Sequence, residues 1–79
     1  MDVSQIRVGS LVRIRDGDGE AEFHLVPDED ADIAEERVSA ESPIGRALLG
    51  HRSGQEVRYR APGGLFAVSV VSVRDGGRT

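Results

Sequence analysis

Polar and apolar residues alternate with a period of two in several short runs along this chain. Val12 and Ile14 alternate with Arg13 and Arg15, and Phe23 and Leu25 alternate with Glu22 and His24. Between these runs lies Asp16-Gly17-Asp18-Gly19, a set of residues that tolerates the positive φ of a tight turn. Successive side chains of a strand point to opposite faces, so the pattern predicts an antiparallel hairpin with one face packed and one wet. Glu56 to Arg60 alternates again with Val57 and Tyr59 inward, and Ala61-Pro62-Gly63-Gly64 predicts a second hairpin turn. The run from Leu65 to Val73 is the most hydrophobic, and its phase slips. Phe66, Val68 and Val70 share one face, whereas Val71 and Val73 fall on the other. A β-bulge, or burial on both faces, accounts for such a slip.

The middle of the chain follows other rules. Pro27 ends the second strand, and residues 28–36 are acidic with Ile33 as their one large apolar side chain. They predict an irregular loop with room for a helical turn, anchored by Ile33. Arg37 to Ala40 reads as a short strand. In Ser42-Pro43-Ile44-Gly45-Arg46-Ala47-Leu48-Leu49-Gly50, Ser42 can accept a free amide of a first helical turn, and Pro43 stands where a missing N–H costs nothing. Ile44, Ala47 and Leu48 recur at i, i+3 and i+4, and Gly50 can supply the left-handed residue past the end. About two turns of helix do not stand alone in water, so this helix must pack on the sheet. The expected fold is α+β: about five strands, mostly antiparallel, in a curved sheet packed on one short helix. Its 79 residues make one domain, with an ordered core over about 6–74 and a frayed tail over 75–79.

Composition narrows the function. A chain this short buries only about 60% of the surface it exposes when unfolded, so its stability is a few kcal/mol. It has no cysteine, hence no disulfide and no thiolate metal site. No apolar run approaches the roughly 18 residues of a membrane span, and Met1 to Gln5 does not open like a secretory signal. These features suit a cytoplasmic protein. Charge is divided along the chain: Asp16 to Glu41 holds eleven Asp and Glu against Arg37 alone, whereas Ser42 to Thr79 holds six Arg against Glu56 and Asp75. An acidic first half and only three aromatics, Phe23, Tyr59 and Phe66, argue against a nucleic-acid groove. A protein partner of complementary charge fits better.

Motifs for catalysis or ligands fail when checked. Asp16-x-Asp18-x-Glu20 opens like a calcium loop, but its sixth and twelfth places hold Ala21 and Pro27 rather than Gly and Glu. Gly45 and Gly50 have phosphate-loop spacing, yet His51 and Arg52 stand where Lys and Ser or Thr belong. Ser42, His51 and Asp32 could be imagined as a triad, but no nucleophile elbow or oxyanion hole accompanies them. No catalytic residue, metal ligand or cofactor is expected.

One stretch is more specific. Asp28-Glu29-Asp30-Ala31-Asp32-Ile33, then Val38-Ser39, Ser42 to Gly50, Gly54-Gln55-Glu56-Val57 and Pro62-Gly63-Gly64 closely resemble the C-terminal domain of the bacterial transcript cleavage factors GreA and GreB. The resemblance runs from about Ile6 to Val73. It implies an FKBP-like fold and a bacterial transcription elongation factor domain that docks on RNA polymerase. In the family, the contact lies near the rim of the secondary channel, against a coiled coil of the β′ subunit. Carried over by motif, the docking residues are Asp32, Ser42, Pro43 and Ile44, with Glu41 and Arg46 as neighbours, in a monomer without cofactor. The family commonly has Lys where this chain has His51. It also carries an N-terminal helical hairpin whose acidic tip reaches the polymerase active centre, and no segment here matches it. The resemblance therefore implies polymerase binding without stimulation of cleavage. Two other readings start from the same residues: a stand-alone or Rnk-like polymerase-binding regulator, and a prolyl isomerase of the FKBP type. The latter needs an aromatic-lined pocket, and fold alone does not supply it.

Overall fold

A computed structural model describes residues 5–75 of the chain. Strand β1 (Ser10–Asp16) and strand β2 (Gly19–Val26) form the first hairpin, closed by the pair Asp16 and Gly19. Inside that turn the Asp18 amide donates to Asp16 Oδ1 at 2.8 Å. Two 3-10 turns, Asp28–Asp30 and Ile33–Glu35, lead into the short strand β3 (Arg37–Ser39). Helix α1 (Pro43–Leu48) follows, and strands β4 (Glu56–Ala61) and β5 (Gly64–Asp75) close the chain as a second hairpin. The sheet order is β3-β2-β1-β5-β4, antiparallel throughout except for the parallel pair β2–β3. This is the expected α+β architecture.

The phase slip in the last strand is a bulge. Arg13 pairs with Ser72 but Ile14 pairs with Val70, which leaves Val71 as the extra residue of β5. One added residue returns Val73 to the face that Val68 and Val70 occupy, and all three are buried. They pack with Val12, Ile14, Phe23, Leu25 and Val57 in a single core, capped by Leu48 of α1. Phe66 has the inward parity but lies at the hairpin end, beyond the cover of the core. It is 42% exposed and stacks on Tyr59 with ring centroids 5.5 Å apart.

The N-terminal segment completes the core in a way the alternation does not announce. Ile6 is fully buried, and its backbone is stitched to the end of α1: its amide donates to the His51 carbonyl and its carbonyl accepts from Gly50 N–H. Strand β5 runs through Asp75, which pairs with Ser10, so the chain stays in the sheet one residue past the expected core and the first residue of the expected tail is strand. Residues 76–79 of that expected tail lie outside the described residues. Among the described residues no helix is long and apolar enough to cross a membrane.

The acidic loop corrects one expectation. Ile33 anchors nothing: it is 90% exposed at the head of the second 3-10 turn. The loop is held by polar bonds instead. Asp32 and Arg37 form an isolated antiparallel bridge, each amide donating to the other's carbonyl at 2.9 Å. Asp32 Oδ1 accepts from Ala34 N–H, and Arg37 Nε donates to the Asp30 carbonyl. These four bonds fix so short a loop without an apolar plug, which frees Ile33 to face solvent.

Candidate docking site

The candidate residues of the sequence reading cluster around the outer edge of β3. Parallel pairing with β2 occupies one side of this strand, and its other side would present open backbone groups at the sheet edge. The chain covers that edge itself from both ends. Arg37 is bridged by Asp32, and the Ser39 carbonyl accepts from both Ser42 N–H at 3.1 Å and Ser42 Oγ at 2.6 Å. The Cα atoms of Arg37 and Ser39 are only ~7 Å apart in an extended strand. The acidic loop and the start of α1 are therefore close neighbours on one rigid edge.

Ser39 ties them together. Its side chain, nearly buried, donates to Asp28 Oδ1 at 2.7 Å and accepts from Glu41 N–H at 2.9 Å. One hydroxyl thus bonds the first residue of the acidic loop to the turn that leads into the helix. Ser42 caps that helix as expected, accepting from Gly45 N–H at 3.1 Å with Pro43 at the first helical position. Gly50, at φ 86°, takes the left-handed conformation past the helix end.

Gly45 has a part that spacing alone did not disclose. It is buried against the chain it follows: a Cβ here would overlap the Ser39 carbonyl oxygen and stand 2.9 Å from Ala40 Cα. The face of α1 that packs deepest is Gly45 and Leu48, while Ile44 and Ala47 flank it half-buried. The helix can lie this close to β3 only because position 45 has no side chain.

The six candidates differ in what they can offer. Pro43, Glu41 and Arg46 are exposed on the start of α1. Ser42 is half-buried, with its hydroxyl engaged both as donor and as acceptor. Ile44 is half-buried and packs on the core, so only its outer part faces solvent. The Asp32 carboxylate is 46% exposed and meets the Arg37 guanidinium only at 4.0 Å, a separation and exposure that leave the pair nearly worthless for stability. Its unused lone pairs are available to a partner. From Asp28 to Glu41 seven carboxylates face Arg37 alone, so the site carries a strongly negative field.

The rest of the surface is arranged differently. On the wet face of the sheet, Arg15 and Arg13 both reach Glu20, at 2.7 and 3.2 Å, and Arg74 reaches Glu22 at 2.9 Å. Hydrogen bonds from Arg15 and then Arg13 hold the Glu20 carboxyl below its ordinary pKa. The aromatics do not line a common pocket. Phe23 pairs with Val12, which pairs with Val73, seven residues along β5 from Phe66 or about 20 Å at strand rise.

A curved mixed sheet with one capped helix thus presents an acidic turn and an exposed proline from the same edge. Comparison with known proteins gives it a family. The model described as the C-terminal region of the transcription elongation factors GreA and GreB matches residues 1–75, and the chain belongs to that family. Among curated relatives, it is 38% identical over 78 residues to transcription elongation factor GreA of Sinorhizobium medicae, covering 96% of this chain and 49% of that protein. It is 41% identical over 58 residues to GreA of Syntrophotalea carbinolica, covering 73% of this chain and 37% of that one. The chain thus spans about half the length, or less, of the curated relatives it matches. Among solved structures, Thermus aquaticus Gfh1 superposes with TM-score 0.77 at 32% identity over 87% of this chain and 47% of its own. A GreA/GreB factor from Nitrosomonas europaea gives 0.73 at 32% identity, over 94% of this chain and 63% of that one.

Proposed function

We propose that this domain docks on bacterial RNA polymerase near the rim of the secondary channel, against the β′ coiled coil, and that this grip is its function. Membership of an elongation factor family supports the choice of partner. The observation that carries the reading is the hydrogen-bonded hub at Ser39, which holds the acidic loop and the start of α1 as one surface. Pro43, Glu41 and the Asp32 carboxylate stand outward from it, with Arg46 and the outer part of Ile44 at its margin. A surface fixed in advance loses little conformational entropy on binding, which matters for an interface this small. The negative field over residues 28–41 calls for a basic contact surface on the partner.

The test is a binding titration of the labelled domain against purified RNA polymerase, with competition by an intact GreA. Pro43→Arg and Glu41→Arg change exposed side chains and leave the fold's hydrogen bonds in place. Asp32→Asn removes charge but keeps an acceptor for Ala34 N–H. Competed binding that each substitution weakens by tenfold or more, at unchanged urea stability, is the expected result. Binding that none of the three affects, or no binding at high micromolar concentration, would defeat the proposal.

A further inference from the structure

The two edges of the sheet are finished differently. At the β3 edge the chain covers its own backbone, with Asp32 at one end and Ser42 at the other. At the β4 edge it does not. The Val70 amide donates to the Gln55 carbonyl at 2.8 Å, which fixes the phase of the β4–β5 ladder: Val57, Tyr59 and Ala61 turn their backbone groups to β5. Glu56, Arg58 and Arg60 therefore aim their N–H and C=O groups away from the sheet, and among the described residues no other backbone bonds to them. Their side chains are exposed as well. Arg58 lies 3.7 Å from Glu56 of its own strand, and among the described residues no carboxylate pairs with Arg60. On the opposite face Tyr59, half-buried, stacks on Phe66 of β5 and has no strand on its other flank.

We propose that β4 pairs with β4 of a second copy, antiparallel about a two-fold axis at Arg58, joining two five-stranded sheets into one. The strand is complementary to itself in this register. Glu56 stands opposite Arg60 of the second copy, and Arg60 opposite its Glu56, which gives the unpaired Arg60 a carboxylate. Val57 stands opposite Tyr59, a β-branched residue against an aromatic ring, at positions where facing Cα atoms come within about 4.5 Å. Glu56, Arg58 and Arg60 are the residues with open backbone groups, and each pair they form exchanges two backbone bonds. The cost is Arg58 opposite Arg58, softened by the Glu56 carboxylate that each already has beside it. Neighbouring registers are worse. A one-residue slip sets open backbone groups against ones already bonded to β5. Moving the axis to Tyr59 sets Arg58 against Arg60 twice, and moving it to Val57 pairs Glu56 with Arg58 but leaves Arg60 beyond the partner strand. This edge lies at the other end of the sheet from the docking residues, so the inference does not depend on the polymerase reading. It differs from the monomer that the resemblance implies.

Sedimentation equilibrium on the unmodified domain, carried to millimolar concentration, tests the pairing. One strand seam is a small interface, so a weak dimer is expected, forming in the high micromolar range. Arg60→Glu and Glu56→Arg each set like charges opposite one another at two places, and each should weaken the dimer at least tenfold. The double variant Glu56→Arg with Arg60→Glu restores both pairs and should return the dimer to within threefold of the unmodified domain. Arg58→Gln removes the like-charge pair at the axis and should tighten it, whereas an axis at Val57 would have the same change weaken it. These changes touch exposed side chains only and should leave urea stability unchanged. Amide hydrogen exchange by NMR reads the seam itself: the Glu56, Arg58 and Arg60 amides should slow as concentration rises, while Val57 and Tyr59, bonded to β5, are slow throughout. A monomer at millimolar concentration, single variants without effect, a double variant that stays weak, or a dimer that leaves those three amides unprotected would each overturn the proposal. Protection of these amides only on addition of RNA polymerase, with no dimer, would assign the edge to a foreign strand and equally overturn it.

Discussion

Replacing Ser39 by Ala removes one oxygen and should loosen both halves of the candidate site. Two bonds go with it: the donation to the Asp28 carboxylate at 2.7 Å and the acceptance from Glu41 N–H at 2.9 Å. Asp28 is exposed and can turn to water, so losing a charge-assisted bond there costs about 1 kcal/mol or a little more. The Glu41 amide is less fortunate, because its bond lies in a partly buried turn where an unpaired donor costs about 1–3 kcal/mol. Together these predict a loss of about 2–3 kcal/mol, a large share of a stability of only a few kcal/mol. With a urea m-value of ~1 kcal/mol/M for so small a domain, the midpoint should fall by about 2–3 M at unchanged m. Urea titration followed by circular dichroism measures this directly. Asp28→Ala removes only the first bond and should cost less than half as much, while Ser69→Ala on the wet face should stay within about 0.5 kcal/mol. A Ser39→Ala variant within 0.5 kcal/mol of the parent would refute the hub, because it would mean water replaces both bonds without penalty.

Three further outcomes follow from particular positions. Gly45→Val places side-chain atoms against the Ser39 carbonyl and Ala40 backbone, and should destabilise the domain by about 1–3 kcal/mol or more in the same titration. Glu36 sits at φ 58° past the second 3-10 turn, where a side chain is disfavoured, so Glu36→Gly should gain up to about 1 kcal/mol, read as a higher urea midpoint. Glu20 has its folded pKa depressed by Arg15 and then Arg13, so its contribution is complete above the ordinary value of 4.5 and drains away as pH falls through the folded pKa. Glu20→Gln should therefore flatten the acid side of the stability profile below the ordinary value of 4.5, and an unchanged acid limb would count against the Arg13–Glu20–Arg15 pairing.

Local chemistry was enough for much of this domain because several elements depend on neighbours in sequence. The two hairpins could be read from alternation around Asp16-Gly17-Asp18-Gly19 and Ala61-Pro62-Gly63-Gly64, since turn geometry and register are fixed within a few residues. The helix could be read from Ser42, Pro43 and Gly50, whose capping bonds span three or four residues. The slip at Val71 was visible as a break in parity, and the bulge is its resolution. Family membership was likewise legible in the order of short motifs from Asp28 to Gly64.

Other features required the chain to be folded, because they join residues whose spacing carries no pattern. Ser39 and Asp28 are eleven residues apart, and no periodicity relates a strand-end serine to the start of an acidic loop. Gly45 looked like part of a helix and proved to be the point where α1 touches the strand before it. Ile6 lies outside every alternating run, yet the return of the chain past Gly50 and His51 buries it. Ile33 shows the converse. Hydrophobicity assigned it to the interior, but the bridge between Asp32 and Arg37 and the turn bonds hold the loop without it. Turning, alternation and capping follow from preferences set by neighbours along the chain. Which side chains become hubs, close contacts or exposed knobs depends instead on which distant backbone folding brings beside them.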